Sequence, residues 1–408
     1  MLDWYRQLGA DERRTFWACF GGWAVDALDV QIYTFAIPAL IAVWQITKAQ
    51  AGLLATSALV ISALGGWIAG VLADRVGRAR LLSIMIAWFA FFTFLSGFTQ
   101  SFEQLLVVRG LQGFGFGGEW AAGSVLMGEV IRGADRGKAV GTVQSAWALG
   151  WGAAAILATV IFQLFPQEIA WRSLFFVGIL PALLVFYIRT KVREPAIFKA
   201  AIEKADRPGP WAIFQRELLP TTILGAALSA GAQGGYYAIT TFLPTFLRTE
   251  RHLTVLGSGF YLAIIIIGSW CGYIASAYWS DMIGRRKNFF IFAIGSLVIA
   301  VAYTDMQISD PMMLALGFPL GFFASGIFSG MGPVFTELFP TSVRGAGQGF
   351  CYNFGRGLGA FFPVLVGVVS ASTGLGPAIG IFAAIAYAIV ILAALALPET
   401  RGRELRAD

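Results

Sequence analysis

The chain has 408 residues, of which 57% are apolar and only 13% charged, at a mean hydropathy of +0.72. That charge content is about half the globular average, which excludes a soluble protein of this length, whose surface needs far more of it. The formal net charge of +6 would suit nucleic acid in a soluble chain, but here the basic residues flank apolar blocks, and no nucleic-acid partner is expected.

Residues 1–14 are polar, and the apolar block after them carries Asp26 and Asp29 in its middle, so the N-terminus is not a cleavable signal. Spans are expected near 15–42, 50–73, 81–99, 104–128, 138–163, 173–190, 218–247, 255–279, 288–306, 311–334, 345–371 and 376–397. Most are about the length a helix needs to cross ~30 Å of hydrocarbon. The 49 glycines fit helices packed closely in lipid. The expected fold is therefore an all-α integral membrane protein with twelve transmembrane helices. Cys19, Cys271 and Cys351 all lie inside apolar blocks without metal-ligand spacing and are expected to be small buried hydrophobes.

Charge sets the direction of these spans. With the N-terminus inside, 23 of the 29 Lys and Arg fall on cytoplasmic segments, 4 on the other face, and Arg109 and Arg356 within spans. By the positive-inside rule both termini are cytoplasmic, in a multi-pass protein of the cell inner (plasma) membrane. The longest polar stretch, 191–217, holds Pro195, Pro208 and Pro210 among alternating charges. It is expected to be a cytoplasmic linker between an N-terminal six-helix half, 1–190, and a C-terminal half, 218–408.

The halves repeat at a fixed offset. Asp74 and Gly77 after the second span match Asp281 and Gly284 after the eighth, 207 residues on. Glu129, seven residues before Arg136, matches Glu337, seven before Arg344, 208 residues on. Two parallel six-helix repeats around a central site are a known transporter plan. The first loop must reverse direction within a few residues, which Gly77 permits. Asp74 can pair with a neighbouring arginine or cap a helix end. Arg78 and Arg80 hold the loop inside. In the second copy Ala277 stands where the first has Gly70. A gating role is expected for Gly70, Asp74, Arg75, Gly77 and Arg78, and for Asp281, Gly284 and Arg285.

These residues carry a resemblance. Gly70…Asp74-Arg75…Gly77-Arg78 resembles the loop signature of the major facilitator superfamily, Arg109-Gly-Leu-Gln112-Gly113 through Gly117-Gly118-Glu119 its fourth-helix signature, and Pro398-Glu399-Thr400-Arg401-Gly402 the end of its twelfth helix. Trp4-Tyr5-Arg6, Asp26-Ala-Leu-Asp29, Trp171-Arg172 and Gly349-Phe-Cys-Tyr352-Asn353-Phe-Gly355 resemble the carboxylate–proton symporters. The nearest group is the sialate/lactate:proton symporters, with the aromatic acid:proton symporters next. The resemblance implies the major facilitator fold, a carboxylate substrate and a proton as partners, and an acidic pair in the first span implicated in coupling.

Five ionisable side chains lie at membrane depth, where they are costly and usually functional: Asp26, Asp29, Arg109, Glu119 and Arg356. Asp26 and Asp29 are three residues apart on one helix face. Two close carboxylates in low dielectric resist simultaneous ionisation, the property a proton carrier needs. Arg109 lies at a depth close to that of Asp29, where it either toggles that proton or forms a static bridge. Glu119 is either a second proton site or a partner for an arginine or helix end. Arg356 has Ala148 as its repeat equivalent, so it breaks the internal symmetry. A lone midplane guanidinium suits two-pronged capture of a carboxylate, the alternative being a structural bridge to one of the acids. Gln233, Tyr236 and Tyr237, Tyr352 and Asn353, Gln144 and Trp147, and Trp120 share its mid-span depth and could complete a pocket. His252 lies on a short loop and is a poor proton relay.

The function expected is proton-coupled uptake of a small organic monocarboxylate — lactate- or pyruvate-like, aromatic acid or sialate — by alternating access, with Arg356 on the carboxylate and Asp29, with Asp26, on the proton. No cofactor beyond the proton gradient, no metal and no enzyme activity are expected, and the chain is expected to be monomeric. An uncoupled facilitator or exporter of a neutral sugar or drug-like solute is the alternative. A transporter-like receptor is a third reading, and no appended cytoplasmic domain supports it.

Overall fold

The computed structural model describes residues 3–131, 135–192, 209–253, 255–304, 308–340 and 343–403. Within them the chain forms twelve antiparallel spanning units. Spans 1 to 5 are Ala10–Trp44, Lys48–Val76, Arg78–Ser96, Phe102–Val130 and Arg136–Leu164. Span 6 is broken into Gln167–Val177 and Ala182–Lys191, and span 7 into Leu219–Thr240 and Leu243–Thr249. Spans 8 and 9 are Val255–Ile283 and Arg285–Thr304. Span 10 runs through Asp310–Gly326, a tight turn at Ile327–Gly330 and Met331–Leu338. Span 11 is Arg344–Gly359 followed by Phe361–Thr373, and span 12 is Leu375–Ala396.

Ten of these units are long and apolar enough to cross a membrane. The exceptions are span 4, which carries Glu103, Arg109, Glu119 and Glu129, and span 7, which is rich in glycine, threonine and tyrosine and carries Gln233. The expected linker at 191–217 falls largely on residues outside the described ones. Of its C-terminal part, Pro210–Phe214 forms a short 3-10 turn whose Trp211 ring lies 5.1 Å from that of Trp67 on span 2.

Helix ends follow local chemistry. Thr47 caps span 2 reciprocally with Gln50, and Ser101 accepts the Gln104 N–H at the start of span 4. Gly77 and Gly284, at φ +112° and +104°, make the one-residue reversals between spans 2 and 3 and between spans 8 and 9. Side chains with a Cβ rarely adopt that conformation.

Within residues 10–191, span 4 packs on spans 2 and 3, and span 1 on span 5. Within 219–396, span 8 packs on span 10, and span 7 on spans 11 and 12. The two groups meet where span 11 crosses span 2 and span 8 crosses span 5. Glycine brings the backbones together. A Cβ on Gly113 or Gly117 would collide with the Ala58 or Ser62 carbonyl of span 2, and one on Gly268 or Gly272 with the Phe318 or Phe322 carbonyl of span 10.

Both described ends lie on one face, called the terminal face below. The Trp4 indole N–H donates to the Tyr278 hydroxyl at 3.1 Å, and the Glu399 carboxylate accepts the Arg285 N–H at 2.9 Å. This face is tightly closed. A Cβ on Gly70 would lie 2.7 Å from the Gly345 carbonyl, and Asp281 accepts the Lys138 N–H at 3.1 Å across the contact between spans 5 and 8.

Candidate functional site

The membrane-depth charges converge on the centre of this fold. Arg356 stands one turn beyond Tyr352 on span 11 and is 1% exposed. Its Nε donates to Gln233 Oε1 at 3.1 Å, and its guanidinium lies 4.2 Å from the Phe116 ring centre and 5.0 Å from that of Tyr352. Nη1 has no hydrogen-bond partner, and Arg356 forms no ion pair among the described residues. Gln233 is itself held, since its Nε2 donates to Ser229 Oγ and to the Tyr352 carbonyl, both at 2.8 Å. The guanidinium is thus oriented by a fixed amide and two aromatic faces, and one of its prongs stays free.

That guanidinium lines a narrow central chamber with Trp23, Gln144, Trp147, Gln233, Tyr236 and Tyr237, closed further by Tyr273, Phe328 and Tyr352. The pocket residues expected from the sequence line it except Trp120, whose ring packs against those of Trp23 and Tyr352, and Asn353. The Asn353 amide donates to the Gly349 carbonyl and packs against Gly66 of span 2, in the contact between spans 2 and 11. Trp23, Tyr273 and Phe328 were not expected. Trp23 could have been found from its position three residues before Asp26 on the same face, whereas Phe328 enters through the turn in span 10, which hydropathy does not reveal.

A second, larger crevice, enclosing about 610 Å³ including its open mouth, leads from the chamber toward the face opposite the termini. Arg109, Gln31, Tyr33, Thr34, Gln112 and Thr240 are among its lining residues. Trp147, Tyr236 and Tyr237 line both spaces, so they form the partition between them. The Trp147 indole N–H donates to the Tyr236 hydroxyl at 2.9 Å.

The three buried acids separate into two groups. Asp29 accepts a hydrogen bond from Gln112 Nε2, and Arg109 faces it from span 4. The Arg109 guanidinium lies 4.4 Å from the centre of the Tyr33 ring, with Nε and Nη1 unpartnered. Asp26 turns instead to Glu119, whose carboxyl occupies the space that a Cβ on Gly22 would need. Arg356 is the guanidinium facing this second group. Gln112, which orients Asp29, is a site residue that stands out in the sequence only as part of the fourth-helix signature.

The expected gating residues sit apart, at the terminal face. Arg78 grips Glu129, and Arg285 grips both Asp281 and Glu337. Gly70, Gly77 and Gly284 provide the close approach and the two reversals described above. The side chains of Asp74 and Arg75 lie outside the described residues.

The arrangement matches known proteins along its whole length. The family model described as Major Facilitator Superfamily matches residues 19–303 and 266–407. A protein named as a probable 4-methylmuconolactone transporter, from Cupriavidus pinatubonensis, is 44% identical over 403 residues, or 98% of this chain and 94% of its own. The cis,cis-muconate transport protein of Acinetobacter baylyi is 29% identical over 389 residues, 92% of each. The solved structure of the proton:xylose symporter XylE bound to 6-bromo-6-deoxy-D-glucose is similar at a TM-score of 0.79, over 97% of this chain and 98% of that one. At 17% identity this last likeness concerns the fold.

Proposed function

The chain belongs to the major facilitator superfamily and is a multi-pass secondary transporter of that type, and from that premise we propose that it takes up a small organic monocarboxylate together with a proton. One observation carries the substrate class. Arg356 is buried with no carboxylate bonded to it, and its free Nη1 belongs to a chamber otherwise walled by aromatic rings and amides. A desolvated guanidinium with one prong unpaired is costly, and a bound carboxylate relieves that cost. The aromatic walls suit a flat, unsaturated acid. The names of the relatives, a methylmuconolactone and a muconate transporter, support an unsaturated organic acid, with one carboxylate in the lactone and two in muconate.

Coupling falls to the buried acids Asp26, Asp29 and Glu119 with Arg109. The substrate enters through the crevice and reaches Arg356 past the Trp147–Tyr236 partition. It leaves when the residues 10–191 bundle rocks against the 219–396 bundle and opens the terminal face. The excess of Lys and Arg on that face supports a cytoplasmic orientation in a bacterial inner membrane, and the chamber is complete within one chain, which supports a working monomer.

The test compares 4-methylmuconolactone, a lactone with one carboxylate, with its methyl ester on wild type and Arg356→Ala. The acid should lose about 2–5 kcal/mol of binding in the variant. That is about 30- to several-thousand-fold in affinity. The ester should bind poorly to both. Equal proportional losses for acid and ester in a monodisperse variant would overturn the carboxylate contact and favour a neutral solute.

A further inference from the structure

A short helix, Asp3–Arg6, precedes span 1, and its Trp4 is only 5% exposed. The base of this helix is fixed to span 1. The Trp17 indole N–H donates to the Tyr5 hydroxyl at 2.8 Å, and Arg13 Nη2 donates to the Arg6 carbonyl at 2.8 Å. The Arg13 guanidinium stands 5.4 Å from the centre of the Tyr5 ring, and the Phe16 ring packs edge-on against Trp4 and Tyr5 at 5.8 and 5.6 Å. The tip of the helix reaches the other bundle. There the Trp4 indole N–H donates to the Tyr278 hydroxyl of span 8, 274 residues along the chain, at 3.1 Å. Tyr278 stands one turn before Asp281, which accepts the Lys138 N–H of span 5. The short helix therefore meets span 8 beside the contact that span 5 makes with it.

Span 1 and span 8 belong to the two bundles that part when the terminal face opens. A helix bonded to both cannot keep both attachments, and the weaker one gives. The base has two hydrogen bonds and a cluster of rings, whereas the tip has one hydrogen bond and a single indole against span 8. Resting on the rocking described above, we propose that Asp3–Arg6 is a strap across the terminal face: it stays on span 1, and Trp4 must leave Tyr278 before that face can open and release substrate. The strap biases the resting protein toward the closed terminal face, because the indole N–H finds its acceptor only there. It also gives the Trp4-Tyr5-Arg6 motif a division of labour, with Trp4 as the tip and Tyr5 and the Arg6 carbonyl as the base.

Ser124→Cys provides the reporter. Ser124 of span 4 is 2% exposed, and its hydroxyl accepts Gln348 Nε2 of span 11 at 2.8 Å, so the contact between the bundles covers it. Native Cys351 is the control, since its buried thiol donates to the Thr222 carbonyl within the 219–396 bundle. The experiment is alkylation of the full-length Ser124→Cys protein by N-ethylmaleimide, with the rate at each cysteine read by mass spectrometry. Tyr278→Phe leaves the Trp4 N–H without its acceptor and should speed reaction at position 124 by at least about 5-fold. Trp4→Ala should do at least as much, and Cys351 should keep its rate in both. Trp4→Ala/Tyr278→Phe should react no faster than Trp4→Ala alone, because the two side chains act through one contact. An unchanged rate at position 124 in both single variants, effects that multiply in the double variant, or an equal rise at Cys351 would each overturn the strap. A position 124 that stays unreactive in every protein while substrate is transported would instead refute the rocking, and the strap with it.

Discussion

Arg285 holds Glu337 with two parallel hydrogen bonds, Nη2 to Oε1 at 2.8 Å and Nε to Oε2 at 3.1 Å, and Arg78 holds Glu129 in the same two-pronged way at 3.2 Å. The second pair repeats the first at the offset of the sequence repeat. Both span a loop reversal at a positive-φ glycine, so each fixes the turn between two helices to a third helix. Glu337 also accepts the Thr400 hydroxyl at 2.7 Å, which ties the chain after span 12 into the same knot. Glu337→Ala leaves the Arg285 guanidinium buried with Asp281 as its remaining carboxylate. Breaking a buried pair from one side costs about 3–5 kcal/mol. Thermal unfolding in detergent should show a marked fall in Tm, and an unchanged midpoint would mean that solvent already reaches the pair.

The glycines of span 4 offer a contrast within one helix. A Cβ on Gly117 collides with the Ser62 carbonyl of span 2, whereas one on Gly110 meets only Ile61 at 3.7 Å. Gly117→Val should prevent the close approach and cost at least the ~1–3 kcal/mol of an overpacked core. Gly110→Ala should be neutral or stabilising, by up to about 1 kcal/mol of helix propensity. The yield of monodisperse protein and its melting temperature compare the two, and similar behaviour would count against a tight contact between spans 2 and 4.

Much of this architecture is legible in the sequence alone. The twelve spans lie where they are expected, and for ten of them hydropathy is the reason, because a helix in lipid must be apolar over a fixed length; spans 4 and 7 are the polar exceptions. The ends extend further than expected, to Ala10 and to Val76, since polar end residues still complete helical turns at the interface. The breaks at 178–181 and 327–330 are not legible, because a short irregular stretch inside protein leaves hydropathy unchanged. The chamber is legible as depth: Arg356, Gln233, Tyr236, Tyr237, Gln144 and Trp147 do converge. Partner choice is not. Asp26 and Asp29 share a helix face, yet one meets span 4 at Glu119 and the other at Gln112, and only helix packing decides that.

Glu399 gives a pH prediction outside the spans. Partial burial raises its pKa, but hydrogen bonds from the backbone N–H groups of Arg285, Arg401, Arg286 and Thr400 outweigh this and hold it below the usual 4.5. A depressed carboxyl contributes stability above its unfolded pKa, and that contribution is lost as pH falls through the folded pKa. Docking of the 397–401 segment onto the start of span 9 should therefore persist at neutral pH and loosen only at a pH below 4.5. Hydrogen exchange at the Arg285 and Arg286 amides should accelerate there beyond the intrinsic pH effect. Glu399→Ala should show the faster exchange already at pH 7, and equal protection in both proteins would dismiss the cap.

The Trp147–Tyr236 hydrogen bond holds the partition between crevice and chamber, and it touches neither Arg356 nor the buried acids. Tyr236→Phe keeps the ring and removes the acceptor, leaving a buried indole N–H unpaired. That costs about 1–3 kcal/mol, and only while the partition is shut. The open arrangement should gain population by about 5- to 140-fold. Release of bound substrate into the crevice should accelerate within that range, read as faster exchange in proteoliposomes with equal internal and external substrate. Because the bond lies away from the guanidinium, affinity for the acid and for its methyl ester should change by the same factor, unlike the selective loss expected at Arg356. A Tyr236→Phe protein that loses affinity for the acid alone would show that the hydroxyl contacts the carboxylate, and would make Tyr236 part of the binding site instead of its door.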